Sequence, residues 1–597
     1  ATAENEQPGQ KTKSKGGATE KTGSEMPVAK QLTPAKKVRT TAAKKVAEDI
    51  ILPENKESAD AKIEHKPIET TNAEVTFSPE ENITTETPEL SQSSRLRKIT
   101  FRIRYKTILG ESLLVTGNHA LLGNNKHPDA FPLTYLNENF WYGTLEIPEG
   151  NFSSENITYN YILKNVDGSI SQDWGSDKVI SPSMFSTEEI ILIDSWNASS
   201  DIENTYYTEP FQKVLLKENF TAVNAPTAKN FTHVFKAKAP LLPKGQALCI
   251  VGSIEELGEW TTEKPFLLSR QEDEPWHKIE VDLSDANFPF AYKYGTWNVA
   301  ANSFIAFEEG PNRVLHDGAG SDKLTIVSDG FVNIPNNGYK GAGVAIPVFS
   351  LRTEKSFGVG EFSDLKLMVD WAVQVGLKLI QLLPVNDTTA THTYVDSYPY
   401  AAISAFALHP LYLHLPAIVS KDNQQFLLDL EDKRLNLNAK SEVDYVNVMA
   451  VKWDLIKQIF PSQKQDIFES DDFRAFFKEN AHWLIPYAAF SYFREKYNTS
   501  DFNEWPTNQV FNSEEINELA SSPMQVEDEV SVYYYVQYHL HLQLRDATNY
   551  AHQNGIIVKG DIPIGIYRNS CDAWQEPALF NMDLQAGAPP DDFAVKG

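Results

Sequence analysis

The chain has 597 residues, too many for one hydrophobic core, and at about 100–200 residues per domain it predicts three to five domains. Its formal net charge of -27 disfavours nucleic acid and anionic membrane surfaces as partners, because phosphate groups repel a chain this acidic, whereas a neutral ligand is unaffected. No apolar run reaches the length of a membrane span, and Cys249 and Cys571 form no disulfide framework or metal motif, so we expect a cytoplasmic protein.

Residues 1–95 are rich in Lys, Glu, Thr, Ala and Pro, and Phe77 is their only aromatic residue. Such a segment buries too little apolar surface to offset the entropy lost on ordering. The composition therefore predicts a disordered tail.

Two blocks of short strands follow, over about 97–205 and 225–330. Alternation of apolar and polar residues, as from Ile99 to Tyr105, indicates strands that are buried on one face. The blocks form an internal repeat, because Gly117, Leu122, Gly123 and Trp141 recur 135 positions later as Gly252, Leu257, Gly258 and Trp276. The repeat predicts two tandem β-sandwiches, in which Trp141 and Trp276 are core residues.

The second block resembles the starch-binding domains of carbohydrate-binding module family 20. The motifs that carry the resemblance are Leu257-Gly258-Glu259-Trp260, Ala291-Tyr292-Lys293-Tyr294, and Phe307 through Pro311-Asn312-Arg313. The resemblance implies that Trp260 and Phe307 stack on glucose rings, while Lys293 and Asn312 bind the hydroxyl groups. A flat ring beside a few polar groups suits a sugar, which has an apolar face and a rim of hydroxyls. Phe307 stands where the family usually has Trp.

The first block departs from this pattern. Asn125 replaces the Trp of the turn, Asn160 replaces the Lys, and Asp177-Lys178-Val179 replaces the Pro-Asn-Arg segment. Trp174 is the residue we assign to the second stacking position. The departures predict a weak glucan site, or a purely structural domain.

Residues 339–597 follow a different pattern. Apolar runs at Val344–Phe349, Leu377–Leu383 and Gly555–Gly560 predict three strands, and the helical spacing between the first two predicts a β-α-β unit in a parallel sheet. Residues 420–550 are predicted to be mostly helical. We expect an incomplete (β/α)8 barrel of the TIM type with a helical insertion.

This third region resembles glycoside hydrolase family 77, the amylomaltases or disproportionating enzymes, and the whole architecture resembles the plant-type cytosolic members. The motifs are Leu383–Asp387, Asp396–Tyr400, Ser404–Pro410, Lys559–Ile564, Asp572–Trp574 and Gly587–Phe593. The resemblance implies a 4-α-glucanotransferase acting on α-glucans, without cofactor or metal. It places Tyr400, Asp561, Asp591 and Phe593 in the substrate site. Asp592 replaces a Tyr that is usual on the last of these loops.

Retaining glycosyl transfer needs a nucleophilic carboxylate and an acid/base carboxyl group about 5–5.5 Å apart. In the family the nucleophile lies in an Arg-x-Asp-His segment, which this sequence lacks. We therefore expect both catalytic carboxylates to lie beyond Gly597. Two alternatives remain open: a non-catalytic glucan-binding protein, and a related α-glucan hydrolase in which water is the acceptor.

Overall fold

The computed structural model describes residues 96–148, 155–223, 230–271, 274–317, 322–335, 338–562 and 565–584, together with Gly587 and Pro590. The tail predicted over 1–95 lies outside these residues. Among the residues described, no helix carries an apolar stretch long enough to cross a membrane.

The first module is a sandwich of β-strands. Its strands are β1 (Leu96–Arg104), β2 (Ser112–Gly117), β3 (Phe131–Pro132), β4 (Thr134–Asn137), β5 (Phe140–Pro148), β6 (Ile157–Lys164), β7 (Ile170–Gln172), β8 (Val179–Ile180) and β9 (Glu189–Ser195). One sheet has the order β3-β2-β6-β7, with β8 also pairing with β6. The predicted alternation is confirmed on β1, where Ile99, Phe101 and Ile103 are fully buried.

The second module repeats this plan. Its strands are β10 (His233–Lys238), β11 (Gln246–Gly252), β12 (Phe266–Leu267), β13 (His277–Val281), β14 (Phe290–Asn298), β15 (Ser303–Phe307), β16 (Arg313–Leu315) and β17 (Lys323–Phe331). One sheet has the order β12-β11-β14-β15, with β16 also pairing with β14. Trp141 and Trp276 are both buried, as the repeat predicts.

The two modules share a seven-stranded central sheet, which the sequence analysis did not anticipate. Its order is β13-β10-β17-β9-β1-β5-β4, and the last strands of the two modules, β17 and β9, pair in parallel. On β9, Ile190 and Leu192 enter the core of the first module, while Ile191 and Ile193 enter the core of the second. The two modules therefore lie on opposite faces of one sheet, and the strands at their junction are buried on both faces.

The third region contains a parallel sheet and long helices. Strands β18 (Gly343–Ile346), β19 (Leu379–Leu382) and β20 (Ile557–Lys559) pair in parallel in that order, within a few residues of the predicted strands. The helices are α1 (Leu365–Gln374), α2 (Gln424–Asp429), α3 (Glu431–Asn438), α4 (Tyr445–Phe468), α5 (Asp471–Tyr497), α6 (Ser513–Ala520), α7 (Asp528–Gln553) and α8 (Cys571–Gln575). The prediction that 420–550 is mostly helical is confirmed.

A buried ion pair fastens α4 to the sheet region. The Lys452 ammonium lies 2.6 Å from Glu361, both side chains are fully buried, and Lys452 also donates to the backbone carbonyls of Leu411 and Leu413 at 2.6 Å each. The remaining Glu361 oxygen lies 2.6 Å from the Nδ1 atom of His414. Because each charge has several polar partners, burial is tolerated, and the pair fixes the position of α4.

Candidate functional site

The first candidate site lies at the carboxyl end of the parallel sheet in the third region. Asp561 follows β20 after a single residue, and the segment Leu383–Asp387 follows β19 directly. Active sites of parallel α/β folds form at this edge, because loops from several strands meet there.

Tyr400 and Asp561 meet at this edge. The Tyr400 hydroxyl donates a hydrogen bond of 3.0 Å to the Oδ2 atom of Asp561, although the two residues are 161 positions apart. This bond raises the pKa of Tyr400, because a phenol that donates to a carboxylate loses its proton less readily. Tyr400 is 36% exposed, so the pair faces solvent and is accessible to a ligand.

The loop that carries Tyr400 is held by a buried carboxylate. Asp387 accepts a 2.7 Å hydrogen bond from the hydroxyl of Tyr487 on α5, and bonds of 2.6 and 3.0 Å from the hydroxyl and amide of Thr389. Its backbone carbonyl accepts from the amide of Ile403 at 2.7 Å. Both ends of the loop are thus fixed, which fixes the position of Tyr400 between them.

Asp572 has a similar supporting role. Its Oδ2 atom accepts a 2.7 Å hydrogen bond from the amide of Ala405, and the amide of the adjacent Cys571 donates to the carbonyl of Ile403 at 2.8 Å. Burial raises the pKa of Asp572, and the bond from Ala405 opposes this only in part. The motif segments around Tyr400, Ala405, Asp561 and Asp572 therefore converge, while the predicted site residues Asp591 and Phe593 lie outside the described residues.

Tyr398, for which no role was predicted, lies beside Tyr400. The two ring centroids are 5.7 Å apart, and Tyr398 is 61% exposed. The signal was present, because Tyr398 belongs to the same Asp-Ser-Tyr-Pro-Tyr motif. An exposed pair of rings beside a carboxylate suits a sugar ligand.

The second candidate site lies on the sheet of the second module that faces away from the junction, around Lys293 on β14. Strand pairing places Lys293 opposite Val251, and Phe307 opposite Gly295, two residues further along β14. The Lys293 ammonium donates to the carbonyl of Gly310 at 2.6 Å, in the loop that precedes the exposed Asn312. This part of the sheet thus brings these predicted residues together.

Trp260 joins this edge through a strained turn. Its amide donates to the carbonyl of Gly252 at 2.8 Å, and its φ of 65° lies in the left-handed region. In the first module Asn125 adopts the same conformation, with φ of 61°. Asn tolerates left-handed backbone, whereas a bulky residue there costs about 1–2 kcal/mol. Such strain at Trp260 is typical of functional positions.

Arg313 stabilises the loop of the second module that precedes it. Its guanidinium makes two hydrogen bonds to Glu308, at 2.9 and 2.8 Å, and a third of 3.1 Å to the carbonyl of Asp329. Burial disfavours the charge of Arg313, but the bonds to Glu308 and the charge of Asp329 outweigh burial and raise its pKa. The Arg of the Pro-Asn-Arg segment therefore positions the neighbouring Asn312.

Strand register in the first module concerns the predicted stacking position of Trp174. Gln172 lies opposite Ile162 in the first module just as Phe307 lies opposite Gly295 in the second, so Gln172 is the counterpart of Phe307. Trp174 follows two residues later, where the chain has left the strand. The side chain of Asn160 donates to the carbonyls of Asp173 and Gly175 at 2.7 and 2.9 Å, which commits it to the loop.

Three segments of the chain match known families. Residues 346–597 match the family model described as 4-alpha-glucanotransferase, in glycoside hydrolase family 77. Residues 96–188 and 232–327 each match the model described as starch binding domain, in carbohydrate-binding module family 20.

Individual relatives have the same names. The 4-alpha-glucanotransferase DPE2 of Oryza sativa subsp. japonica is 34% identical over 85% of this chain and 54% of its own length. The 4-alpha-glucanotransferase of Chlamydia muridarum is 32% identical over 43% of this chain and 47% of its own length. The solved structure of an amylomaltase from Streptococcus agalactiae in complex with acarbose is 22% identical, with a TM-score of 0.34, and covers 43% of this chain and 51% of its own.

The chain thus spans about half the length of the curated relatives it matches. Residues 346–597 belong to the 4-alpha-glucanotransferase family, glycoside hydrolase family 77, and the two modules ahead of them are starch-binding domains of carbohydrate-binding module family 20.

Proposed function

We propose that this chain is part of a 4-α-glucanotransferase that moves glucosyl units from maltose or maltooligosaccharides to glucan acceptors in the cytoplasm. The observation that carries the proposal is the 3.0 Å hydrogen bond between Tyr400 and Asp561 at the carboxyl edge of the parallel sheet. It joins two residues that the family motifs place in the substrate site, on a loop held by buried polar groups.

In this proposal Asp561 accepts hydrogen bonds from sugar hydroxyls. One of its oxygens already accepts from Tyr400, and the other accepts from the amide of Ile562 at 3.1 Å. A carboxylate has about four lone-pair positions, so each oxygen can accept one bond more. Tyr400, with Tyr398 beside it, offers a ring face for stacking on the sugar.

Transfer with retention proceeds through a covalent glycosyl-enzyme, which one carboxylate forms while a carboxyl group protonates the leaving oxygen. We propose that both groups belong to family segments not included in these 597 residues, since the sequence contains no Arg-x-Asp-His. Asp561 then has a binding and positioning role. A sugar hydroxyl, rather than water, receives the glycosyl unit.

The test is product analysis with maltotriose. A protein that also contains the Arg-x-Asp-His segment should give glucose and maltooligosaccharides longer than maltotriose, whereas the 597-residue chain should bind glucan and transfer nothing. Free glucose and maltose without longer products would favour the hydrolase. Longer products from the 597-residue chain itself would show that its own carboxylates suffice and would overturn our placement of the catalytic pair.

We propose that starch binding resides mainly in the second module, at Trp260, Lys293, Phe307 and Asn312. Loss of a stacking ring should cost about 1–3 kcal/mol of binding free energy, so Trp260→Ala should weaken the affinity for β-cyclodextrin measured by calorimetry. Trp371→Ala is a matched control, because this partly exposed ring lies on α1, away from the module. Equal affinities of the two variants would contradict the assignment.

A further inference from the structure

A second groove lies where the first module meets the second, away from the site around Trp260. It has a volume of about 720 Å³ and is lined by the loop from Trp174 to Asp177, residues between Asn204 and Phe220, and residues of the second module near Lys238. Volumes of about 300–1,000 Å³ are usual for small-molecule sites.

Trp174 offers an aromatic platform in this groove. Its side chain is 47% exposed, while its amide donates to the carbonyl of Asn197 at 2.8 Å and its carbonyl accepts from the Asn197 side chain at 3.3 Å. The amide of Asn197 in turn donates to Asp173 at 2.5 Å. The backbone is fixed on both sides of an exposed indole, so little freedom is lost when a ligand stacks on it.

The opposite wall of the groove is polar, and two of its ammonium groups pair with carboxylates. Lys238 of the second module lies 2.5 Å from Asp177 of the first, and Lys213 pairs with Glu209. Asn204 and Gln212 add amide groups to the lining. Lys217 and Arg270 also line the groove, and the Arg270 guanidinium lies 5.4 Å from the centroid of the Phe220 ring. Because the ammonium groups of Lys213 and Lys238 have carboxylate partners within the protein, we choose a neutral ligand with many hydroxyls as the occupant.

Asp177 also explains why the first module lacks the site seen in the second. Counted from the matched positions Gln172 and Phe307, Asp177 and not Lys178 is the counterpart of Asn312, and its carboxylate pairs with Lys238 across the module boundary. The loop that carries the site in the second module has become part of the interface in the first. Trp174 therefore lies in a groove that is lined by residues of both modules.

We propose that this groove binds a short α-glucan segment, with Trp174 stacking on a glucose ring and the groups between the modules binding its hydroxyls. The inference rests on the proposed function, since it assumes that this protein binds α-glucan. It adds a second glucan site, one that requires both modules and the segment between them.

The experiment is calorimetric titration of the 597-residue chain with maltoheptaose. The Trp260→Ala variant removes the site of the second module, and Trp174→Ala is then added to it. We expect the double variant to bind maltoheptaose about tenfold more weakly than Trp260→Ala alone, as for loss of one stacked ring. Trp174→Phe in the same background should restore most of the affinity, and Trp371→Ala, a ring that is likewise 47% exposed, should change nothing.

The outcomes separate this inference from the proposed function. If the unaltered chain binds maltoheptaose but Trp174→Ala leaves the residual titration unchanged, the groove is not a glucan site and starch binding by the second module stands. If the unaltered chain does not bind maltoheptaose, both proposals fail. Trp174-dependent binding of glucose 1-phosphate in preference to maltoheptaose would overturn the choice of a neutral ligand.

Discussion

Arg104 on β1 and Asp329 on β17 form an ion pair of 2.5 Å that joins the two starch-binding modules across the intervening strand β9. The Asp329 side chain is fully buried, and it also accepts 2.9 Å hydrogen bonds from the hydroxyls of Tyr292 and Tyr294. Burial alone would raise the pKa of Asp329, but the charges of Arg104 and Arg313 outweigh it and hold the pKa below its ordinary value.

Arg104→Met should therefore destabilise the joined modules. Removing one partner of a buried pair typically costs about 3–5 kcal/mol, and we expect the lower end because Arg313 remains near Asp329. Arg102→Met is the matched control, since Arg102 lies on the same strand and pairs at 2.7 Å with Asp317, which is 59% exposed. Hydrogen exchange of the β9 and β17 amides should be faster in Arg104→Met than in Arg102→Met. Equal exchange rates in the two variants would contradict a stabilising role for the buried pair.

Separating the modules should destabilise both, because each contributes a strand to the core of the other. A first module made alone exposes Ile191 and Ile193 to water, and a second made alone exposes Leu324 and Ile326, which lie in the core of the first. Full burial of one such side chain is worth about 1.5–3 kcal/mol. Each isolated module also presents an open parallel strand edge, which favours aggregation.

Thermal melting and size-exclusion chromatography of residues 96–335, 96–200 and 230–335 test this expectation. The tandem fragment should be monomeric with the highest melting temperature, and mixing the two isolated modules should recover part of the difference. A second module that melts alone at the temperature of the tandem fragment would show that the shared sheet contributes nothing to its stability.

Much of each module could be predicted from the sequence, because alternation along a strand depends on local burial alone. The joining of the modules could not, since any exposed edge can pair and only the tertiary structure selects the partner. One signal was available: Ile190, Ile191, Leu192 and Ile193 form a continuous apolar run on β9. Such runs are typical of parallel strands covered on both faces.

In the candidate sites, too, motifs along the chain could be identified from the sequence, whereas contacts and strand register could not. Two separate motifs placed Tyr400 and Asp561 in the predicted substrate site, and the structure joins the two residues by a hydrogen bond that neither motif predicted. Trp174 was assigned by residue type, whereas the strand register relates Phe307 to Gln172. Register is set by hydrogen bonding between strands, so a matching residue two positions away does not occupy the same place.

The stability of the second module should fall as the pH drops below about 6.5, the ordinary pKa of histidine. His233 is fully buried: Nδ1 lies 2.9 Å from the Thr232 hydroxyl, and Nε2 has no hydrogen-bond partner among the described residues. Burial lowers its pKa to about 4, which the charge of Asp282 opposes only in part. The unfolded chain then binds the proton more readily, so stability rises with pH between about 4 and 6.5.

At pH 5 His233 should lower the free energy of unfolding by about 2 kcal/mol relative to pH 7, because a difference of one unit between folded and unfolded pKa is worth about 1.36 kcal/mol. His233→Gln cannot gain the charge and should show a smaller fall in melting temperature between pH 7 and pH 5. His316→Gln removes an exposed histidine of the same module and should leave the fall unchanged. A fall in His233→Gln as steep as in the unaltered protein would exclude this histidine as its source.

Placing a tryptophan in the first module should not create a second site of the family type. Asn125→Trp reproduces the turn of Trp260, since both positions are left-handed. The opposite platform would still be Gln172, and Asp177 would still be paired with Lys238. We expect no gain in β-cyclodextrin affinity when Asn125→Trp is added to Trp260→Ala; a recovered affinity would show that one ring suffices.

Tyr400 and Asp561 should act as a unit in transfer. Because the Tyr400 hydroxyl donates directly to Asp561, Tyr400→Phe removes the partner that orients the carboxylate, and Asp561→Asn removes the charge that accepts sugar hydroxyls. In a protein that includes the Arg-x-Asp-His segment, each change should lower kcat/KM for maltotriose about tenfold or more, as for loss of a charge-assisted hydrogen bond.

In the double variant kcat/KM should fall little further than in Asp561→Asn alone, because Asp561→Asn already removes the carboxylate that the Tyr400 hydroxyl orients. Tyr394→Phe is the control on the same loop: this side chain is 76% exposed and lies outside the hydrogen bond to Asp561. Losses from Tyr400→Phe and Asp561→Asn that simply multiply in the double variant would mean that the two residues act independently. The hydrogen bond between them would then not contribute to transfer.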